Sequence, residues 1–173
     1  MTLITTAGDQ AADSYVTTDE FNEYSKKYGY NLTGFKDEDI EQACRRGTRW
    51  LDVTYGNRFI GKVASVDQSL EWPRKEAVWR GCSVNDAIIP SAIKNAACEA
   101  IWRELTKPNS LAPDYIQSEV VKQEEIGEIT TIYKDGKGTV EDVLPVVTII
   151  DRLLSGFTNP KAKSALFGIC ARA

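Results

Sequence analysis

The sequence predicts a mainly α protein, a small helical bundle with a β-hairpin or extended arm. Three observations lead there. Apolar residues recur at helical spacing over 40–55, 93–105 and 146–154. Acidic residues or a proline stand where each of these runs begins. Between the last two runs, residues 119–133 switch to a β-favouring composition.

Taken in order, the small polar residues before Asp13 read as a frayed or neighbour-docked start, and Ser14-Tyr15-Val16 as a short extended piece. Thr17 or Thr18 caps a first helix opening on Asp19 and Glu20, acids that suit a helix N-terminus. Phe21 and Tyr24 share its face, and Gly29 ends it. A second helix opens on Asp37-Glu38-Asp39, with Ile40, Ala43, Cys44, Gly47, Leu51 and Tyr55 as its buried stripe. Gly47 costs about 1 kcal/mol against alanine inside a helix, so it marks a close approach of a second helix. Gly56 and Asn57 stop this helix, and 57–88 reads as an irregular loop packed on the domain.

Pro90 opens a third helix. Its stripe of Ile93, Ala96, Ala97, Ala100, Ile101 and Leu105 is rich in small residues and marks it as the central helix, closed by Pro108 and Pro113. Val120, Ile129, Thr131 and Tyr133 make the extended arm, near 117–134, a hairpin or ribbon bent near Gly127. A last helix follows Leu144-Pro145, with Val146, Ile149, Ile150, Leu153 and Leu154 as its apolar face. The expected organisation is a domain over 1–155 and a C-terminal tail over 156–173.

The 173 residues suit one domain, and 42% hydrophobic with 27% charged residues is an ordinary globular balance. No apolar run approaches the roughly 20 residues of a membrane span, and Met1–Ala12 lacks the pattern of a secretory signal. A cytoplasmic site of synthesis is expected. Cys44, Cys82, Cys98 and Cys170 are too widely spaced for a zinc site and read as free buried thiols.

Nothing in the sequence points to catalysis. The chain contains no histidine, so the commonest general base and transition-metal ligand is missing. Gly136-Lys137-Gly138-Thr139 lacks the frame of a phosphate-binding loop. Asp37-Glu38-Asp39 fits a helix N-terminus better than a metal site, and Glu124, Glu125 and Glu128 fit a protected strand edge. The reading is a non-enzyme without cofactor or metal.

The net charge of −4 is unevenly spread: −6 over residues 1–44, +4 over 45–80 and −2 over 81–173. A duplex-DNA reader is normally basic, whereas the isoelectric point here is about 5.0. Trp50, Trp72, Trp79 and Trp102 interleave with Arg49, Arg74, Arg80 and Arg103, a composition that can stack single-stranded bases. The acidic total favours packing instead, with Trp50 and Trp102 in the core and Trp72 and Trp79 anchoring a loop.

The order of motifs resembles a family of tailed-phage head-tail connector (adaptor) proteins that also carries a DnaT-like single-stranded-DNA-binding label. The resemblance runs through Ser14-Tyr15-Val16, Asp19-Glu20 and Tyr24, then Ile40-Glu41-Gln42-Ala43, Arg46-Gly47-Thr48 and Trp50-Leu51-Asp52. Its most specific part is Gln68-Ser69-Leu70-Glu71-Trp72-Pro73-Arg74 ahead of Ile89-Pro90, Ile93-Lys94, Ala96 and Glu99. Val120-Val121-Lys122, Glu124, Ile126-Gly127, Tyr133, Pro145 and Ile150-Asp151-Arg152-Leu153-Leu154 continue it, so that it covers about residues 13–155. Within it, Trp72, Pro73, Arg74, Pro90 and Lys94 read as structural.

The resemblance implies a virion protein of the head-tail junction, made in the host cytoplasm and assembled as a homo-oligomeric, dodecameric ring below the portal. Such a ring extends the channel through which genomic DNA passes without sequence-specific binding, and docks the next neck or tail component. Lys161, Lys163, Leu166, Phe167, Ile169 and Arg172 are then candidate portal contacts. Glu119, Lys122, Glu124, Glu125 and Glu128 are candidates for the lumen or a subunit contact. The alternative is a single-stranded-DNA-binding replication accessory protein.

Overall fold

Helix α1, Thr18–Tyr28, starts where the sequence places its cap. The Thr17 hydroxyl accepts the Glu20 amide at 3.1 Å and the Glu20 carboxylate accepts the Thr17 amide at 3.0 Å, a reciprocal cap for two otherwise orphaned donors. Gly29, at φ 78°, closes the helix in the left-handed conformation that a glycine adopts without strain. Helix α2, Asp37–Tyr55, buries the predicted stripe and Thr48. It tightens into a 3₁₀ turn, Gly56–Arg58. Helix α3, Ser91–Thr106, follows Pro90, and helix α4 is Thr148–Leu154.

In this computed structural model residues 2–113, 123–126, 129–132 and 145–159 are described. Among them, no helix is long and apolar enough to cross a membrane. The central pair is α2 on α3; α4 packs against α3, and Tyr55 at the end of α2 donates its hydroxyl to Asp151 of α4 at 2.8 Å. Gly47 sits at the crossing: a Cβ there would lie 2.8 Å from the Ile101 amide nitrogen and 2.9 Å from Ile101 Cγ1. The close approach read from the glycine is therefore real, and a methyl group would force the helices apart.

Among the described residues, three two-stranded antiparallel sheets correct the mainly α expectation and make the fold mixed α/β. Strands β1 (Lys62–Val63) and β2 (Arg74–Lys75) pair, as do β3 (Val78–Trp79) and β4 (Cys82–Ser83), inside the segment read as an irregular loop. Strands of two residues are too short to show an alternating pattern, so the sequence carries no sign of them. The third pair, β5 (Gln123–Ile126) with β6 (Ile129–Ile132), sets Ile126 opposite Ile129 within the predicted arm.

The core gathers Tyr15, Val16, Phe21, Leu51, Trp72, Ile93, Ile101, Leu111, Ile150 and Leu154, each at most 2% exposed. Phe157, on the tail side of the boundary read at residue 156, packs in the same core. Its carbonyl accepts the Ile60 amide at 3.0 Å, and Phe59 bridges to Thr158. Two details differ from expectation. Helix α4 begins at Thr148, so Val146 and Ile149 face solvent at 78% and 42% exposure while Ile150 and Leu154 are buried. Of the cysteines, Cys44 and Cys98 are free and buried, whereas Cys82 on β4 is free and exposed.

Candidate nucleic-acid interface

The most specific motif folds into a polar knot beneath the hairpins. Tyr15, fully buried, donates its hydroxyl to Asp52 Oδ1, while its oxygen accepts the Trp72 amide at 3.2 Å. The other Asp52 oxygen accepts the Glu71 amide at 3.1 Å. Arg74, 8% exposed, donates to Glu71 Oε2 at 2.6 Å and to the carbonyls of Ile60 and Gly61 at 3.0 and 3.1 Å. Gln68 donates to the carbonyls of Leu70 and Pro73. The peptide between Trp72 and Pro73 is cis. These groups satisfy one another, which is what a loop needs in order to be buried.

Burial pushes Asp52 up to about 6, with the Glu71 charge adding to it and the hydrogen bonds from Tyr15 and the Glu71 amide, with Arg74, opposing. A carboxyl whose folded pKa is raised binds its proton more tightly in the folded state. Its contribution to stability is full below the unfolded value near 3.8 and is lost as pH rises to about 6. At about 1.4 kcal/mol per unit, the loss is at most about 3 kcal/mol. Urea unfolding of the wild type and Asp52→Asn at several pH values between 4 and 7 checks this. The variant is expected to lack the downward slope, and parallel curves would refute the assignment.

The knot supports two hairpins set side by side. Gly61, at φ 73°, lets them meet, since a Cβ there would lie 2.3 Å from the Lys75 carbonyl oxygen and 2.8 Å from the Ala77 nitrogen. Lys62 and Lys75, cross-strand partners, are exposed, as is Arg80, and Arg58 is half-exposed. Lys62 pairs with Glu76 at 2.7 Å on the surface. At the tip, Trp79 is 36% exposed and rests on Phe157, ring centroids 5.0 Å apart. The Arg80 guanidinium lies 4.2 Å from the Trp79 ring centroid. Trp79 is thus a partly exposed aromatic ring with a guanidinium against it, a combination suited to unpaired bases and their phosphates.

Trp72 anchors its loop as the sequence reading has it, whereas Trp50 and Trp102, read as core residues, lie at the core's edge. Trp72 is fully buried between Phe59 and Phe157, each edge-on at 5.7 Å, whereas Trp50 and Trp102 are only partly buried. Trp102 stacks on Tyr30 at 4.6 Å, and Tyr24 lies between Tyr28 and Tyr30. Behind this row Glu99, 5% exposed, accepts both the Tyr24 and Tyr30 hydroxyls on one oxygen and Arg103 on the other. The sequence reading did not single out this cluster. Its one signal was a glutamate three residues beyond Ala96, inside the apolar stripe.

Of the residues read as structural, Trp72, Pro73 and Arg74 belong to the buried loop, and Pro90 caps α3. Lys94 ties α3 to α1 through Glu20 at 2.6 Å. Glu124 and Glu125 lie on β5, opposite Thr131 and Thr130. Glu119, Lys122 and Glu128 lie outside the described residues, as do Cys170 and the candidate portal contacts Lys161, Lys163, Leu166, Phe167, Ile169 and Arg172.

A family model with the description "Putative DnaT-like ssDNA binding protein" matches residues 1–172. The chain belongs to this DnaT-like family. The match bears out the DnaT-like label in the motif resemblance and does not support the phage-connector identity beside it. No curated protein and no solved structure matches the chain. In this member of the DnaT-like family the motif residues of 68–74 build the support, and the Trp79–Arg80 tip stands above it.

Proposed function

We propose that the chain is a non-catalytic single-stranded-DNA-binding protein that contacts its ligand through the paired hairpins of residues 62–83. The observation that carries this reading is the Trp79–Arg80 pair, aromatic and cationic, at the exposed turn between β3 and β4. The family description supports it. So does the charge distribution, because Trp79 and Arg80 lie in the one of the three segments with a positive balance, +4 over residues 45–80. Binding of this kind depends on stacking and on counterion release, and is tolerant of sequence.

The test is binding of a labelled oligothymidylate across a salt series. Log affinity is expected to fall with log salt at roughly 0.7 per phosphate contacted, so about 2 for three contacts. Trp79→Ala is expected to weaken binding by about 5- to 150-fold, the loss of one stacked base. Absence of binding at about 50 mM salt would sink the reading.

A second reading keeps the structural connector role: a ring of identical subunits between a phage portal and the next tail component. It is favoured by the net charge of −4, which opposes general affinity for a polyanion, and by apolar side chains left outside at Val53, Val146 and Ile149. Electron micrographs of virions that show the subunit as a ring at the head-tail junction, with no oligonucleotide binding, would establish it over the first.

A further inference from the structure

Two side chains pack on the Trp79 indole. The Phe157 ring stacks on it at 5.0 Å with 30° between planes, and the Arg80 guanidinium carbon lies 4.2 Å from its centroid. Phe157 is 3% exposed and fixed in the core. Arg80 is exposed, on a long side chain that can swing without moving the backbone.

The backbone at this point is unusual as well. Trp79 pairs with Cys82, leaving Arg80-Gly81 as a two-residue turn, and both are left-handed, with φ of 51° and 77°. Such turns favour asparagine, aspartate or glycine at the first position, and an arginine there is strained. The hairpin carries a residue that its turn disfavours, with its charge parked against the partly exposed indole.

We propose that Arg80 is a displaceable cover on Trp79. An unpaired nucleobase takes the guanidinium's place against the indole, and the released guanidinium pairs with a phosphate of the same strand. This rests on the single-stranded-DNA reading and adds to it how the site selects its ligand. Stacking and phosphate capture are coupled, so the site takes nucleotides in a strand and discriminates against phosphate-free nucleosides. The exchange favours a strand because one cation–π contact is given up for a base stack and a charge-assisted phosphate contact.

Fluorine NMR of 5-fluorotryptophan-labelled protein separates the four tryptophans, with the Trp79 signal assigned by Trp79→Phe. In the wild type, an oligothymidylate of about 12 nucleotides is expected to move the Trp79 signal, and thymidine is not. In Arg80→Ala the signal is shifted before titration, thymidine moves it, and oligonucleotide affinity falls about 3- to 10-fold at low salt. The salt slope falls by roughly 0.7, one phosphate contact. Arg80→Lys retains the slope. Oligonucleotide binding that leaves the Trp79 signal unmoved, or an unchanged salt slope in Arg80→Ala, overturns the exchange while leaving the binding function. Failure of the wild type to bind any oligonucleotide removes the binding function, and the exchange with it.

Discussion

Trp72→Ala is expected to destabilise the protein by about 3–5 kcal/mol, the range for deleting a large aromatic side chain from a core. Trp72 is 0% exposed and wedged edge-on between Phe59 and Phe157, so one substitution removes the wedge joining the loop before β2 to the segment after α4. The cavity cannot close easily, because the Trp72 backbone is held by Tyr15 and its neighbour Glu71 by Asp52. At roughly 2–4 °C per kcal/mol for a chain of this size, the melting temperature should fall by about 6–20 °C. Among the described residues the indole nitrogen has no hydrogen-bond partner, so Trp72→Phe loses packing alone and should cost about half as much. Calorimetry of the three proteins decides this. Equal melting temperatures for wild type and Trp72→Ala would show that the loop is not part of the cooperative core. The same loss should loosen the support of Trp79, because Phe157 contacts both indoles.

Much of the helical frame was legible because its signals are local. The Thr17–Glu20 cap and the repeat of the α2 stripe each rest on residues within one or two turns of each other, and the crossing at Gly47 was marked by the glycine itself, although its partner is the distant Ile101. The hairpins of 62–83 were not legible, since their pairing depends on a buried loop tied down from Tyr15 and Asp52, far away in sequence. Two of the tryptophans, Trp50 and Trp102, were misplaced for a related reason. A helical position suggested burial for Trp50 and Trp102, yet they lie at the edge, while Trp72 in the loop is enclosed by Phe59 and Phe157 from distant segments. The candidate site was half visible. The alternation of tryptophan and arginine raised the possibility of stacking, and the acidic total argued against it. Sequence adjacency could not separate the pairs: Arg80 lies over Trp79, whereas Arg74 turns to Glu71 and Arg103 to Glu99.

Glu99→Ala is expected to rank next, at about 2–4 kcal/mol. Removing one partner of a buried ion pair costs about 3–5 kcal/mol, and the figure is reduced because Arg103 keeps 32% exposure. The carboxylate is the shared acceptor for Tyr24 at 2.9 Å, Tyr30 at 2.8 Å and Arg103 at 2.9 Å, so its loss strands three donors on two helices and the loop after α1. Its pH signature separates this from ordinary packing loss. Burial raises the Glu99 pKa, but the hydrogen bonds from Arg103, Tyr30 and Tyr24 outweigh it and hold the carboxyl below 4.5. That contribution is present above about pH 4.5 and is lost as pH falls through the folded value. Burial, with the bond to Glu99, pushes Tyr30 up to about 12 and Tyr24 well above its usual 10, so their contribution is full below pH 10 and lost as pH rises above it. Wild-type stability should therefore fall on both the acid and the alkaline side. Glu99→Ala should flatten both limbs, and the alkaline one incompletely, because burial of the phenols remains. Glu99→Gln should lose the acid limb while retaining most of the fold, since its carbonyl can still accept the two hydroxyls. Tyrosine absorbance titration and denaturant unfolding between pH 3 and 11 would read both limbs. Unchanged limbs in Glu99→Ala would mean that the tyrosine shifts come from burial alone.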